Sequence, residues 1–179
     1  MSNLHNKRIV LIVSGGIAAY KALELVRRLR EERAVVRVVM TAAATRFVGE
    51  LSFQALSGEP VYRDLLDARA EAAMGHIELA RWADAVVVSP ATADFVARIR
   101  YGFADDLGAA VCLASAAPLL LAPAMNQQMW HNPATQENIR ALAARGIESV
   151  GPDSGSQACG ETGPGRMAEP LAIVTAIAE

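Results

Sequence analysis

The feature that most constrains this chain is an apolar run, Ile9 to Val13, that ends at Ser14-Gly15-Gly16. Charge precedes the run and glycine follows it, as is typical of a strand buried on both faces of a parallel sheet. Beyond the glycines, apolar and charged residues recur on opposite sides at helical spacing: Ala22, Leu25, Val26 and Leu29 against Lys21, Glu24, Arg28 and Glu31. The stretch therefore predicts a strand, a tight turn and a helix N-terminus.

This turn is a candidate anion site. The N–H groups at the start of a helix lie at the positive end of its dipole, where a phosphate can bind, and Ser14 adds a hydroxyl donor. The residues match neither G-x-G-x-x-G nor the P-loop pattern. A purely structural turn is the alternative interpretation, and this stretch alone does not decide between the two.

Composition excludes several classes of function. The 179 residues suit one domain, and a net charge of −2 with 5% aromatic residues argues against nucleic acid as a partner. The apolar runs are too short to cross a membrane, and the N-terminus lacks the apolar region of a signal peptide. Cys112 and Cys159 form no C-x-x-C pair, so we expect a reduced cytoplasmic protein without structural zinc. A hydrophobic content of 53% favours buried subunit contacts.

Further apolar runs alternate with helical patterns, which predicts an α/β fold with a mainly parallel sheet. The predicted strands are Val35–Met40, Ala85–Val88, Pro118–Ala122 and Ile147–Val150, with a short extended piece at 60–62. Asn132-Pro133 has the order of an N-cap and a first helical residue, and Gly146 ends that helix. A helical turn over 52–57 ends at Gly58, residues 64–73 form a helix or an exposed connection, and Glu169-Pro170 starts a closing helix.

Polar and small residues follow the predicted strands at one edge of the sheet, where ligands of open α/β sheets bind. Thr41 and Thr45 are candidate phosphate or ribityl contacts, with helix capping as the alternative. Ser89 to Asp94 repeats the pattern after the third strand. Pro123 to Trp130 brings three amides and two methionines to a strand-end loop, which favours recognition of something polar.

Three other groups have both a structural and a functional interpretation. His76 and Arg81 lie with Glu78 and Trp82 just before the third strand, where the histidine is either structural or a base near neutral pH. Asp105-Asp106 either caps the next helix or binds a metal, and capping is favoured. Cys112 lies among apolar residues and is expected in the core.

The stretch from Gly151 to Met167 is rich in glycine and proline, and we expect no regular element across it. Loops of this length in compact domains are commonly lids or binding loops, with disorder as the alternative. Cys159 lies within the stretch and is not expected in the core.

Five separated motifs coincide in this chain, namely SGGIAAYK from Ser14, GHIEL from Gly75, SPATAD from Ser89, PAMN from Pro123 and ACGxxGPGRM from Ala158. Together they resemble the flavin-dependent cysteine decarboxylases, and within them the bacterial phosphopantothenoylcysteine decarboxylases of coenzyme A biosynthesis. The resemblance covers nearly the whole chain. It implies a flavodoxin-like or Rossmann-like three-layer sandwich and a single FMN-binding decarboxylase domain over 1–179, with a flap at about 151–169.

The resemblance also implies roles for particular residues. FMN would be held by Ser14, Gly15, Gly16, Ile17, Thr41, Phe47, Ser89, Pro90, Ala91, Thr92 and Ala93. His76 and Cys159 would be catalytic, Asn126 would bind the substrate carboxylate, and Arg81 and Met129 would contact the substrate. Trimers, expected to assemble into a dodecamer, would bring His76 to a subunit interface.

The chemistry implied by the resemblance is an oxidation, a decarboxylation and a reduction. Loss of CO2 from a cysteine carboxylate needs an electron sink, which FMN provides by oxidising CH2–SH to a thioaldehyde. The enethiol formed is reduced to 4'-phosphopantetheine, with Cys159 as proton donor and the flap excluding water.

Departures and rivals accompany the resemblance. Asp105-Asp106 stands where relatives often have Asn-Asp or Asp-Asn, and Gly108 stands where a bulkier residue is usual.

Many bacterial relatives continue into a ligase domain that joins phosphopantothenate to cysteine. The resemblance therefore implies such a ligase as a partner, either fused or separate. The rival functions are decarboxylation of a peptide C-terminal cysteine, flavin prenyl transfer, which Cys159 and PAMN argue against, and a flavin-binding regulatory subunit, which an absent acidic tail disfavours.

Overall fold

Strands and helices alternate along the chain, as seen in a computed structural model that describes residues 4–66 and 75–179. The strands are β1 Arg8–Val13, β2 Val35–Met40, β3 Val61–Tyr62, β4 Ala85–Ala91, β5 Leu119–Pro123, β6 Glu148–Ser149, β7 Asp153–Ser156 and β8 Thr162–Arg166. The helices are α1 Ala19–Glu31, α2 Glu50–Ser57, α3 Gly75–Trp82, α4 Ala93–Tyr101, α5 Leu107–Ala114, α6 Gln127–His131, α7 Pro133–Ala143 and α8 Pro170–Ala178, with a 3-10 turn at Ala44–Arg46.

The central sheet has six strands in the order β3-β2-β1-β4-β5-β6, and each neighbouring pair is parallel. Ile9 of β1 pairs with Val36 on one side and with Ala85 on the other. The strand order therefore reverses between β1 and β4, and the carboxyl ends of these two strands form the crevice where such sheets bind ligands. The predicted α/β fold with a parallel sheet is confirmed.

Helices cover both faces of the sheet. On one face β1 and β2 pack with α1, α2 and α8 around buried Leu25, Phe53 and Ile173. On the other face α3, α4, α5 and α7 pack around buried Leu79, Phe95 and Leu142. The alternating side chains of each inner strand supply both cores, which explains why β1 is an uninterrupted apolar run and confirms the three-layer sandwich.

Side-chain caps fix where α4, α5 and α7 begin. The Thr92 hydroxyl accepts from the Phe95 N–H at the start of α4, and the Asp106 carboxylate accepts from the Ala109 N–H at the start of α5. Asn132 caps α7 in the predicted order with Pro133. Asp105 is not a cap: its carboxylate lies 2.6 Å from Nη1 of Arg98.

The prediction that no regular element forms over residues 151–167 is wrong. β7 and β8 form a two-stranded antiparallel hairpin, with Ser156 opposite Thr162 and Gly155 opposite Gly163. A two-stranded ribbon tolerates Pro164, which lacks an N–H, because each strand has one free edge. The hairpin turn is closed by the Gln157 N–H, which donates to the Glu161 carbonyl at 2.8 Å.

Two smaller differences concern the predicted loops. Residues 127–131, predicted as part of a strand-end loop, form the short helix α6. Of the predicted helix or connection over 64–73, residues 67–73 lie outside the described part of the chain. Among the residues described, no helix is long and apolar enough to cross a bilayer.

Candidate functional site

A cleft of about 910 Å³ opens at the carboxyl edge of the sheet, above β1 and β4. Its walls come from the turn before α1, the loop after β2, the start of α4, the loop after β5 and the β7–β8 hairpin. Ten of the residues singled out by sequence line it: Ser14, Gly15, Gly16, Ile17, Thr41, Thr92, Ala93, Asn126, Met129 and Cys159. Parallel strands bring their carboxyl ends to one edge, so residues more than 140 positions apart in sequence meet here.

Ser14 joins the ends of the two strands at the floor of the cleft. Its hydroxyl donates to the Pro90 carbonyl at 2.6 Å and accepts from the Thr92 N–H at 3.1 Å. Ser14 is 2% exposed. The Ser14 proton therefore bonds within the protein, and the residue acts first as a bridge between β1 and β4.

The turn before α1 lies against the loop that follows β2. A Cβ on Gly15 would overlap Ala43, so only glycine fits where these two backbones meet. Gly15, Gly16 and Ile17 form the turn just before α1, which begins at Ala19 with Ala18 as its N-cap, so their N–H groups lie near the positive end of the helix dipole. This end of the cleft is therefore a candidate anion position.

Thr41 stands on the adjacent wall of the cleft. Its Oγ1 accepts from the Ala44 N–H at 3.2 Å and so caps the 3-10 turn, while Thr45 donates to the Ala42 carbonyl at 2.8 Å. The capping alternative thus describes the Thr41 contact, whereas the Thr45 hydroxyl donates to a carbonyl of its own turn and is not a cap. Only Thr41 also lines the cleft, and a hydroxyl that accepts a capping bond still has its own proton to donate.

The opposite end of the cleft is formed by the loop after β5 and the tip of the hairpin. The Asn126 side chain caps α6 by accepting from the Gln128 N–H at 2.7 Å. Its Nδ2 lies 3.4 Å from Sγ of Cys159 and 2.7 Å from Oε2 of Glu161. An amide and an exposed thiol, 33 positions apart, thus face the same part of the cleft.

Two glycines allow the hairpin to lie close to the loop after β5. The Met125 N–H donates to the Gly165 carbonyl at 2.9 Å, and a Cβ on Gly165 would overlap the Met125 carbonyl. Gly165 has a φ of +138°, which also disfavours any side chain. A Cβ on Gly163 would overlap the Gln127 side-chain amide. The glycines of this segment therefore set its position over the cleft.

Sequence reasoning assigned no role in the site to three cations that line the cleft, Lys21, Arg98 and Arg166. Lys21, predicted on the charged side of α1, is 13% exposed and pairs with Glu169 at 2.7 Å, which ties α1 to the base of the hairpin. Arg98 pairs with Asp94 and Asp105, and these contacts raise its pKa further. The position of Lys21 within the SGGIAAYK motif could have indicated that it belongs to the site. The spacing of Arg98 from its partners, 4 and 7 residues, does not indicate a place in the cleft.

Four other predicted cofactor residues do not line the cleft. Ser89 and Ala91 are fully buried behind its wall, where the Ser89 hydroxyl donates to Sδ of Met167 at 3.3 Å. Pro90 is also buried and contributes only its carbonyl, to Ser14. Phe47 follows the 3-10 turn with 51% of its surface exposed, outside the cleft.

His76 and Arg81 lie on α3, which packs against α5 on the face of the sheet away from α1. The helix connects parallel strands and runs against them, so His76, in its first turn, lies toward the carboxyl edge. Arg81 is exposed and five positions further on, about 7.5 Å along the helix axis. Neither residue lines the cleft of its own chain.

Cys112 differs from Cys159 in exposure, because Cys112 is partly buried and Cys159 is exposed. Cys112 lies on α5 against the second core cluster, and burial raises the pKa of its thiol. Cys112 thus packs at the edge of the core in which it was predicted, with part of its surface exposed. Gly108, one turn earlier, is buried where a Cβ would lie 2.8 Å from Cγ2 of Ile12, so a bulkier residue does not fit there without movement.

Comparisons with known proteins agree with this geometry. The family profile described as Flavoprotein matches residues 1–179. The coenzyme A biosynthesis bifunctional protein CoaBC of Escherichia coli K12 is 61% identical over 172 residues, which are 96% of this chain and 42% of that protein. The chain therefore spans less than half the length of this curated relative.

Two solved structures share the fold across nearly their whole length. A cysteine-to-serine mutant of PPC decarboxylase complexed with pantothenoylaminoethenethiol is 33% identical, with a TM-score of 0.85 and 97% of each chain covered. The FMN-dependent cysteine decarboxylase SpaF is 30% identical, with a TM-score of 0.80 and 98% of each chain covered.

Proposed function

The chain belongs to the Flavoprotein family, and on that premise we propose that it binds FMN and decarboxylates (R)-4'-phospho-N-pantothenoyl-L-cysteine to 4'-phosphopantetheine. The reaction is that of a carbon-carbon lyase in coenzyme A biosynthesis. The observation that carries the proposal is the approach of the Asn126 amide and the Cys159 thiol, 3.4 Å apart, in the same cleft that reaches the start of α1. The 61% identity to the bifunctional relative supports the choice of substrate.

The cleft fits FMN by its size, position and chemistry. Its volume of about 910 Å³ exceeds what one flavin needs and leaves room for a substrate. Gly15, Gly16 and Ile17 would hold the phosphate at the start of α1, and Thr41 would donate its hydroxyl proton. When bound there, FMN would supply two-electron chemistry, as the hydride acceptor when the substrate CH2–SH becomes a thioaldehyde and as the hydride donor in the final reduction.

The residues of this chain then bind the substrate and move one proton. The Asn126 amide would donate to the substrate carboxylate and fix the bond to be broken. Departure of CO2 leaves the electron pair of the broken C–C bond in the C=S group of the thioaldehyde and gives an enethiolate, which takes a proton from water on its sulfur to become the enethiol. Cys159, on the hairpin tip, would give its thiol proton to the enethiol carbon as the hydride returns. The hairpin would cover the thioaldehyde and exclude water.

His76 would act in a cleft completed by a neighbouring subunit. It is half-buried near the carboxyl edge but does not line the cleft of its own chain. Two large apolar side chains of the cleft wall are exposed, Ile17 at 63% and Tyr20 at 58%, which supports a subunit contact there. We propose trimers, assembled into a dodecamer, with Arg81 and Met129 as further substrate contacts.

A ligase domain, fused or separate, would supply the substrate. The free thiols of Cys112 and Cys159 suit the cytoplasm.

The proposal is tested by incubating the FMN-loaded protein with 4'-phosphopantothenoylcysteine beside a peptide that ends in cysteine. We expect CO2 and a product with the mass of 4'-phosphopantetheine from the first substrate only. Release of CO2 from the peptide alone would support the same reaction on a different substrate, the C-terminal cysteine of a peptide. A yellow protein that releases CO2 from neither would support the flavin-binding regulatory subunit instead.

A further inference from the structure

Both ends of the Asn126 side-chain amide are bonded to groups of the chain. Its Oδ1 accepts from the Gln128 N–H at 2.7 Å, and this orients Nδ2 toward the hairpin. There Nδ2 donates to Oε2 of Glu161 at 2.7 Å. An amide nitrogen has two protons, and the second points to the Cys159 sulfur at 3.4 Å. The donor proposed for the substrate carboxylate is thus already bonded to a carboxylate of the chain.

Glu161 is held in this position from three directions. Its Oε2 also accepts from Nε2 of Gln127 at 3.3 Å, and its backbone carbonyl accepts from the Gln157 N–H at 2.8 Å in the hairpin turn. Gln157 in turn accepts from the Gln127 N–H at 3.1 Å, so both sides of the contact are braced. Glu161 is therefore a built contact of the hairpin with the loop after β5.

A substrate carboxylate at this amide takes either the proton that Glu161 accepts or the second proton, directly beside Glu161. Two carboxylates at one donor are like charges at hydrogen-bond separation in a partly buried site, which disfavours their joint presence. Charge-assisted bonds from an N–H to a carboxylate are also stronger than neutral ones. The bond to Glu161 therefore lowers the affinity of Asn126 for a substrate carboxylate.

We propose that Glu161 is a positioning residue that occupies the carboxylate position on Asn126 and leaves it when the substrate binds. The inference rests on the proposed function of Asn126 as the carboxylate donor. Glu161 holds the amide in the orientation that a carboxylate needs, and it lowers the affinity for every ligand that has one. Ligands without a carboxylate do not compete with it.

The test compares two ligands that differ only in the carboxylate. The serine analogue of the substrate, 4'-phosphopantothenoylserine, has the carboxylate and lacks the thiol that is oxidised, whereas 4'-phosphopantothenoylethanolamine lacks both carboxylate and thiol. Calorimetry gives the Kd of each for the FMN-loaded protein. A second pair, a peptide ending in serine and the same peptide ending in ethanolamine, covers the alternative substrate class.

Glu161→Gln should bind the serine analogue about tenfold more tightly than the unmodified protein does, because a neutral amide neither repels the carboxylate nor accepts as strongly. Its affinity for the ethanolamine analogue should change by less than about twofold. Glu137→Gln removes the same charge from the exposed face of α7 and should change neither value. In an Asn126→Ala background, Glu161→Gln should change the affinity for the serine analogue no more than the affinity for the ethanolamine analogue.

Each alternative outcome has one meaning. Equal weakening of both ligands by Glu161→Gln would mean that the residue only supports the hairpin, and the inference would be wrong. Unchanged preference for the carboxylate would overturn it as well. If only the peptide pair binds, the proposed substrate is wrong, and the competition between Glu161 and a ligand carboxylate is tested on the peptides. Binding of neither pair would overturn both proposals.

Discussion

The Ser14 hydroxyl donates to the Pro90 carbonyl across 2.6 Å and so joins the carboxyl ends of β1 and β4. These are the strands between which the sheet order reverses, and the candidate cleft lies directly above them. A single buried side chain thus holds together the two loops that would form the cofactor end of the site. Its proton is not free for a phosphate, although sequence alone favours it as a donor.

Ser14→Ala should destabilise the protein by about 1–3 kcal/mol, because the buried Pro90 carbonyl loses its partner. FMN affinity should fall too, since the turn before α1 is no longer fixed to β4. Urea unfolding of the FMN-free protein separates the first effect from the second. Ser149→Ala on exposed β6 is the matched control. Unchanged stability with weakened FMN binding would instead make Ser14 a direct ligand of the phosphate.

Gly165→Ala should leave FMN bound and reduce turnover by about tenfold or more. The new Cβ would overlap the Met125 carbonyl at a backbone conformation that favours glycine, so the hairpin must move away from the loop that holds Asn126. The measurement is CO2 release alongside the flavin absorbance of the purified protein. Gly49→Ala, where nothing lies within 4 Å of the added Cβ, should retain full turnover. Normal turnover by Gly165→Ala would show that the hairpin position is not required.

These two residues illustrate how far the sequence predicts the structure. Apolar runs bounded by glycine and polar residues locate the inner strands, and the edge rule for parallel sheets brings Ser14, Thr41 and Asn126 to one cleft. The hairpin is missed because local propensity treats glycine and proline as irregular. Gly163 and Gly165 are instead set by contacts with Gln127 and Met125, about 40 positions earlier. His76 and Arg81 fail to reach the cleft of their own chain, as a site shared between subunits would require.

His76→Asn and Cys159→Ser should each abolish turnover alone and restore part of it when the two variants are mixed and reassembled. In mixed assemblies some clefts would combine an intact His76 from one subunit with an intact Cys159 from another. The assay is product mass after co-refolding, with His131→Asn, on the exposed end of α6, as the control. Mixtures that stay inactive would indicate that both residues serve the same cleft from the same chain.

Stability should decline toward acid partly through Asp84. Arg8 donates to this carboxylate from its guanidinium and its backbone N–H, and these bonds lower the pKa from 3.8 to about 2. A carboxyl whose pKa is lower in the folded state stabilises the fold above its ordinary pKa, and the effect is lost as pH falls through the folded value.

Asp84→Asn should therefore lower the melting temperature at pH 6, and the difference from the unmodified protein should shrink steadily between about pH 5 and pH 2. Thermal unfolding monitored by circular dichroism at several pH values gives the comparison. Asp64→Asn, at an exposed site, controls for loss of charge alone. A difference in melting temperature that does not vary with pH would show that Asp84 stabilises the fold independently of its ionisation.

The central claim is decarboxylation without net oxidation or reduction, and an anaerobic incubation with 4'-phosphopantothenoylcysteine tests it most directly. The account predicts one CO2 and one 4'-phosphopantetheine for each substrate consumed, over many turnovers, with the flavin oxidised and yellow at the end. A single turnover that leaves the flavin bleached, or no CO2 from a protein that keeps its FMN, would contradict it.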